Sequence, residues 1–181
     1  MIAVEIVADR LEHTDADALL LPVDGQLCRL GGAAASALRA ALPEAERADE
    51  LEYVEDQLAR MRPLPHPQAR VIDGVARWQT LIVVAAYPHD VDGATFSPDA
   101  CARMVRAALP AAIAHAGTAS VDVLAVALIG TQYRMPIDVA VRAFVDGLAA
   151  ATARVVVRWA LPDAEIRALA EAAARRVGLV R

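Results

Sequence analysis

The run Leu81-Ile82-Val83-Val84 restricts the fold of this chain more than any other segment. It is rich in β-branched residues and apolar on both faces, so as a strand it needs cover on both sides, which helices provide in parallel sheets. Comparable strand-like runs occur at 2–7, 18–23, 121–128 and 155–159, and the Leu81 strand extends to Ala86. We therefore predict a mixed, mostly parallel sheet enclosed by helices.

Amphipathic segments alternate with these strands. Leu51, Val54, Leu58 and Met61 recur at helical spacing within an acidic segment that ends at the prolines after it. Three further helices are predicted from Ser97-Pro98, from Pro136 to near Thr152, and from about Asp163.

Two local signals refine this pattern. Pro110 is expected to kink or break the helix that starts at Ser97. Asp73-Gly74, within residues 70–77, indicates a small hairpin that leads into the Leu81 strand. The resulting order of elements favours a single domain over residues 1–181, built as a three-layer α/β/α sandwich with a shallow cleft at the strand ends.

Composition excludes several classes of function. The net charge of −5 argues against binding to a nucleic-acid polymer or an anionic membrane. All 18 basic residues are arginine, which excludes Schiff-base lysine chemistry and a P-loop lysine, and which is typical of a GC-rich bacterial genome. Cys28 and Cys101 belong to no Cys-x-x-Cys pair, and His89, Asp90 and Asp92 match metal-ligand spacings poorly.

We therefore expect no metal and no cofactor. The chain shows no secretory signal and no run long enough to span a membrane, so we expect a cytoplasmic protein.

The segment 18–42, ALLLPVDGQLCRLGGAAASALRAAL, resembles the opening of a macro domain, with a strand, a Gly-Gly turn and a helix of small residues. The segment 121–136, VDVLAVALIGTQYRMP, resembles the strand and second ligand loop of that family, and 81–88 its central strand. The resemblance covers most of the chain as a pattern of elements. It implies the macro-domain sandwich, with ADP-ribose or a related nucleotide bound between two loops.

The resemblance also implies particular ligand contacts. Asp9 matches the acidic residue that receives the adenine amino group, and Trp159 lies where an aromatic residue commonly faces adenine. The loop that receives the diphosphate corresponds to Gly31, Gly32 and Ala33, with alanine in place of the family's third glycine. The second loop corresponds to the run that comprises Gly130, Thr131, Gln132, Tyr133 and Arg134, with Tyr133 against the distal ribose.

One departure from the family concerns the ribose. The chain has no asparagine, and Asp24 stands where the family has the asparagine that orients the ribose. A carboxylate accepts hydrogen bonds from hydroxyl groups, but it repels a nearby diphosphate by about 1–4 kcal/mol. Arg29 and Arg134 flank the two loops and are expected to offset that repulsion.

Three functions remain open at this point. The first is a module that binds the nucleotide without efficient turnover. The second is an ADP-ribosyl hydrolase in which Asp24 orients or activates water. The third is a scaffold without a nucleotide site that acts through a protein partner or as a homo-oligomer, since the DGQL turn at 24–27 is also similar to the amino-terminal domain of leucine aminopeptidases.

Overall fold

The computed structural model describes residues 2–87, 97–131 and 135–180. Its strands are β1 (Ala3–Val7), β2 (Ala18–Asp24), β3 (Ala69–Asp73), β4 (Thr80–Tyr87), β5 (Val123–Val126) and β6 (Val156–Ala160). Its helices are α1 (Gly32–Ala41), α2 (Arg47–Arg60), α3 (Pro98–Thr118), α4 (Ile137–Ala149) and α5 (Ala164–Arg176). A single 3-10 turn, Leu11–His13, interrupts the connection from β1 to β2. The predicted alternation of strands and helices is confirmed.

The strands form one six-stranded sheet in the order β1-β6-β5-β2-β4-β3. All neighbours are parallel except β3, which runs antiparallel to β4. The mixed, mostly parallel sheet is therefore confirmed. The hairpin differs in detail from its prediction, because Asp73 pairs with Thr80 and the chain returns in β4 itself rather than in a short strand just after Gly74.

Helices cover both faces of the sheet, as the doubly apolar strands require. Leu19 and Leu21 of β2 join one buried cluster, which includes Leu38 of α1 and Leu58 of α2. Leu20, which lies between them, joins the opposite cluster, to which α3, α4 and α5 contribute. This alternation along one strand produces the three-layer α/β/α sandwich.

Helices α3 and α5 begin where they are predicted, and the predicted cap at Ser97 is confirmed. The Ser97 hydroxyl accepts the Ala100 N–H at 3.2 Å, and Asp163 Oδ1 accepts the N–H groups of Glu165 and Ile166 at 2.9 and 3.0 Å. Such caps satisfy N–H groups that have no partner within the helix. Among the described residues, no helix is both long enough and apolar enough to cross a membrane.

Pro110 does not break its helix, so that part of the prediction is wrong, while the predicted kink stays a prediction. It lies inside α3, which continues to Thr118. Leu109 and Ile113, on either side of it, are buried in the core, so packing holds both halves of the helix in place.

Candidate functional site

The connections that follow β2 and β5 leave the sheet in opposite directions. These strands are parallel neighbours, yet α1 after β2 packs on one face of the sheet and α4 after β5 packs on the other. Such a divergence opens a crevice at the carboxyl ends of the strands, where ligands bind in α/β sheets. The topology and the sequence therefore both indicate a ligand site at the carboxyl ends of these strands.

A cavity of about 220 Å³ lies at this edge, and we call it the strand-end cavity. Its walls come from the connection after β1, from the first turns of α1, and from the ends of β5 and β6. The lining residues are Arg10, Leu11, Glu12, Ala33, Ser36, Ala37, Ala127, Ala160 and Pro162. Four segments that are far apart in sequence thus meet around one space.

The amino end of α1 adjoins this cavity. Gly31 is the N-cap residue, and no side chain of the described residues accepts a hydrogen bond from the first turn of the helix. Gly32 has φ +70°, a left-handed conformation that glycine adopts without strain. Because α1 carries no acidic residue in its first turn, its N–H groups and the positive end of its dipole favour an anion here.

Glu12 is the acidic side chain among the described residues of the cavity wall. Its side chain is only 10% exposed, and Oε1 lies 2.7 Å from Nη2 of the more exposed Arg10. Asp9, the acidic residue implied by the family resemblance, is exposed and is not part of the wall. The 3-10 turn that starts at Leu11 brings Glu12 into the wall, and periodicity alone did not reveal that turn.

Asp24 holds the turn that follows β2. Its Oδ1 accepts the N–H groups of Gln26 at 3.1 Å and Leu27 at 2.6 Å, and its carbonyl accepts the N–H of Cys28 at 3.0 Å. The carboxylate thus caps a tight turn. Its predicted catalytic role stays a prediction.

The second ligand loop is described only in part. Gly130 has φ +108°, and a Cβ there would overlap the terminal methyl of the buried Met135. Thr131 follows it, while Gln132, Tyr133 and Arg134 lie outside the described residues, as do His89, Asp90 and Asp92. Ala127, three residues before Gly130, lines the strand-end cavity, so this loop starts at the candidate site.

A second cavity, of about 360 Å³, lies between the loop after β2 and helix α2. We call it the α2 hollow. Arg29 lines this hollow together with Glu55, Asp56 and Arg62, and all four side chains are exposed. Among the described residues, none from the connections after β1, β5 or β6 contributes to its walls. We therefore place the candidate site in the strand-end cavity, and Arg29 lies outside its lining.

Solved structures resemble this arrangement over nearly the whole chain. The Oceanobacillus iheyensis macrodomain with ADP is similar at a TM-score of 0.74 and 14% identity, over 96% of this chain and 90% of that one. The chain has the macrodomain fold. A mutant of the Oceanobacillus iheyensis macrodomain with ADPR has a TM-score of 0.72 and 13% identity, over 96% of this chain and 92% of that one. The Trypanosoma brucei macrodomain in complex with ADP has a TM-score of 0.66 and 14% identity, over 95% of this chain and 68% of that one.

The likeness is one of structure rather than sequence. No protein-family model matches the chain, and no curated protein matches it. The resemblance to the amino-terminal domain of leucine aminopeptidases stays a prediction.

Within the macrodomain fold, Trp159 does not occupy its predicted position. It is fully buried and stacks on Phe144 of α4, with ring centroids 4.4 Å apart. Trp159 belongs to the core cluster on the α4 side, whereas the next residue, Ala160, belongs to the α1 side and lines the cavity. Because a buried ring offers no free face to a base, the structure contradicts the expectation that Trp159 contacts adenine.

Neither cysteine is suited to chemistry in this macrodomain fold. Cys28 and Cys101 are buried free thiols, and burial raises the pKa of both, which lowers the thiolate fraction at neutral pH. We expect iodoacetamide to leave both unmodified in the folded protein and to alkylate both in urea, as measured by mass spectrometry. Rapid alkylation of Cys28 without urea would contradict this burial.

Proposed function

We propose that this chain binds ADP-ribose or a related nucleotide, with the base in the strand-end cavity and the diphosphate at the amino end of α1. One observation carries the proposal: Ala33 forms part of the cavity wall and also belongs to the uncapped first turn of α1. A ligand in the cavity therefore lies beside backbone N–H groups that suit phosphate oxygens.

The cavity suits a base rather than a whole nucleotide. Its volume of about 220 Å³ is below the roughly 300–1,000 Å³ of typical ligand clefts. Leu11, Ala127 and Ala160 supply apolar walls for a flat ring, and Glu12 and Ser36 supply polar atoms for its edge. An apolar pocket with a few polar groups is the usual form of a site for a heterocycle.

The structural neighbours support a nucleotide as the ligand class. The Oceanobacillus iheyensis and Trypanosoma brucei macrodomains were both solved with ADP. Isothermal titration calorimetry with ADP-ribose tests the proposal directly. We expect saturable binding, and a dissociation constant weaker than about 1 mM, or roughly −4 kcal/mol, would instead favour the scaffold function.

Glu12 is expected to recognise an amino group on the base. A buried carboxylate accepts a hydrogen bond from the exocyclic amine of adenine, and such charge-assisted bonds contribute about 1.5–3 kcal/mol. Since glutamine keeps one acceptor oxygen, we expect Glu12→Gln to weaken ADP-ribose binding by about tenfold. The hypoxanthine analogue lacks the amine, so the variant's preference for ADP-ribose over that analogue should fall as well.

Asp9→Asn is the matched control. Both changes remove one negative charge from the same connection, but Asp9 is exposed and is not part of the cavity wall. We expect its affinity for ADP-ribose to remain within about twofold of the unaltered protein. The opposite result, with Asp9→Asn impaired and Glu12→Gln intact, would assign the base contact to Asp9 as the family resemblance implies.

A further inference from the structure

The connection between β1 and β2, residues 8–17, crosses the sheet without a long helix of its own. Because β6 and β5 lie between β1 and β2, the chain must pass over both strands to reach β2. It does so on the α1 side, where Leu11 is buried in the same cluster as Leu38 of α1. This crossing carries Glu12 into the strand-end cavity.

Arg158 of β6 holds the far end of this crossing. Its Nε donates to Glu5 Oε2 at 2.8 Å, and Glu5 is its direct partner in the register between β1 and β6. Its Nη1 donates to the carbonyl oxygen of Asp15 and also lies 3.5 Å from Asp15 Oδ2. One guanidinium thus joins the sheet to the connection.

Arg77, between β3 and β4, holds the same connection from the other side. Its Nη1 donates to the carbonyl oxygen of Glu12 at 2.9 Å, and its Nη2 lies 3.9 Å from Asp15 Oδ1. The two oxygens of the Asp15 carboxylate therefore each face a different arginine. Neither Arg77 nor Arg158 lines the cavity, so any effect on a ligand must pass through the backbone of the connection.

We propose that Arg77 and Arg158 are positioning residues that hold the Glu12 backbone, and with it the Glu12 carboxylate, in the wall of the strand-end cavity. This inference rests on the proposed nucleotide function. The Asp15 side chain is 93% exposed, so its ion pairs contribute little to global stability. The hydrogen bonds to the Glu12 and Asp15 carbonyl oxygens instead restrict the backbone of this one segment. The fraction of molecules in which the segment is ordered sets the fraction that can bind the nucleotide.

The test compares Arg77→Ala and Arg158→Ala with the unaltered protein. We expect each variant to bind ADP-ribose about three- to tenfold more weakly and to discriminate less against the hypoxanthine analogue. Hydrogen exchange over residues 10–16 should rise in the ligand-free variants, while the urea midpoint changes little. Arg77→Lys and Arg158→Lys should restore only part of the affinity, because one ammonium cannot reproduce the geometry of the guanidinium fork.

Arg142→Ala is the control for the loss of a surface ion pair. Arg142 Nη2 lies 2.6 Å from Asp138 Oδ2 on α4, both side chains are exposed, and neither residue lines the strand-end cavity. Unchanged affinity and base preference in both test variants of a protein that binds ADP-ribose would overturn this inference alone. Failure of the unaltered protein to bind would overturn the proposed function and this inference with it, even if exchange over 10–16 still rose in the variants.

Discussion

Alanine in place of Trp159 is expected to lower the free energy of unfolding by about 3–5 kcal/mol. The ring is fully buried and stacks on Phe144 at 4.4 Å with an interplanar angle of 20°. Its removal leaves a cavity that rigid strands and helices cannot close. Since domains of this size have a total stability of about 5–15 kcal/mol, much of the stability would be lost, and urea unfolding would measure it.

Trp159→Phe is the control, since it keeps an aromatic ring against Phe144 and leaves a smaller cavity. It also removes the indole N–H, which is buried without a hydrogen-bond partner in the described structure. We expect Trp159→Phe to lower the free energy of unfolding clearly less than Trp159→Ala does. A Trp159→Ala protein that kept its stability but lost its affinity for ADP-ribose would show that the ring contacts the ligand rather than the core.

Gly25→Ala is expected to lower the free energy of unfolding by about 2–3 kcal/mol. It is also expected to disturb the loop that precedes α1. A Cβ at Gly25 would overlap the carbonyl oxygen of Leu64, and it would lie 3.3 Å from the Ala85 Cβ. The Leu64 N–H donates to the Gly25 carbonyl at 2.6 Å, so the two backbones cannot separate without loss of that bond. Urea unfolding measures the stability, and calorimetry with ADP-ribose measures the effect on the loop.

Gly31→Ala is the matched control in the same loop. Gly31 has an extended backbone with φ −155°, and a Cβ there would have no neighbour within 4 Å. The change should alter stability by no more than about 1 kcal/mol. If the two variants proved equally stable, the close approach between the Gly25 and Leu64 backbones would not exist in solution.

The continuity of α3 shows where a local rule gives way to packing. Pro110 has no N–H to donate to the Arg106 carbonyl, and proline inside a helix costs about 3 kcal/mol. The Arg106 carbonyl oxygen lies toward α4, 3.2 Å from the position that a Cβ on Gly147 would take. Contacts of α3 with β4 and α4 offset the missing bond, and those contacts join residues that are distant in sequence.

The candidate site could be predicted only in outline. The Gly31-Gly32 turn and the strand ends predict the edge of the sheet at which the strand-end cavity lies, because parallel strands and helix starts have local signatures. The choice between Asp9 and Glu12 depends on a single 3-10 turn, which determines which carboxylate enters the cavity wall. The position of this turn depends on the burial of Leu11 beneath α1. That contact joins residues that are distant in sequence, so no short segment specifies it.

By itself, the sequence determined the order of strands and helices, the largely parallel sheet and the capped starts of α3 and α5. These features depend on apolar period and capping residues within a few positions of one another. The tertiary structure alone decided that Trp159 faces the core, while Glu12, Ala33, Ala127 and Ala160 surround one cavity. Strand alternation separates side chains onto two faces, but only the packing of distant helices decides which face becomes core and which borders the cleft.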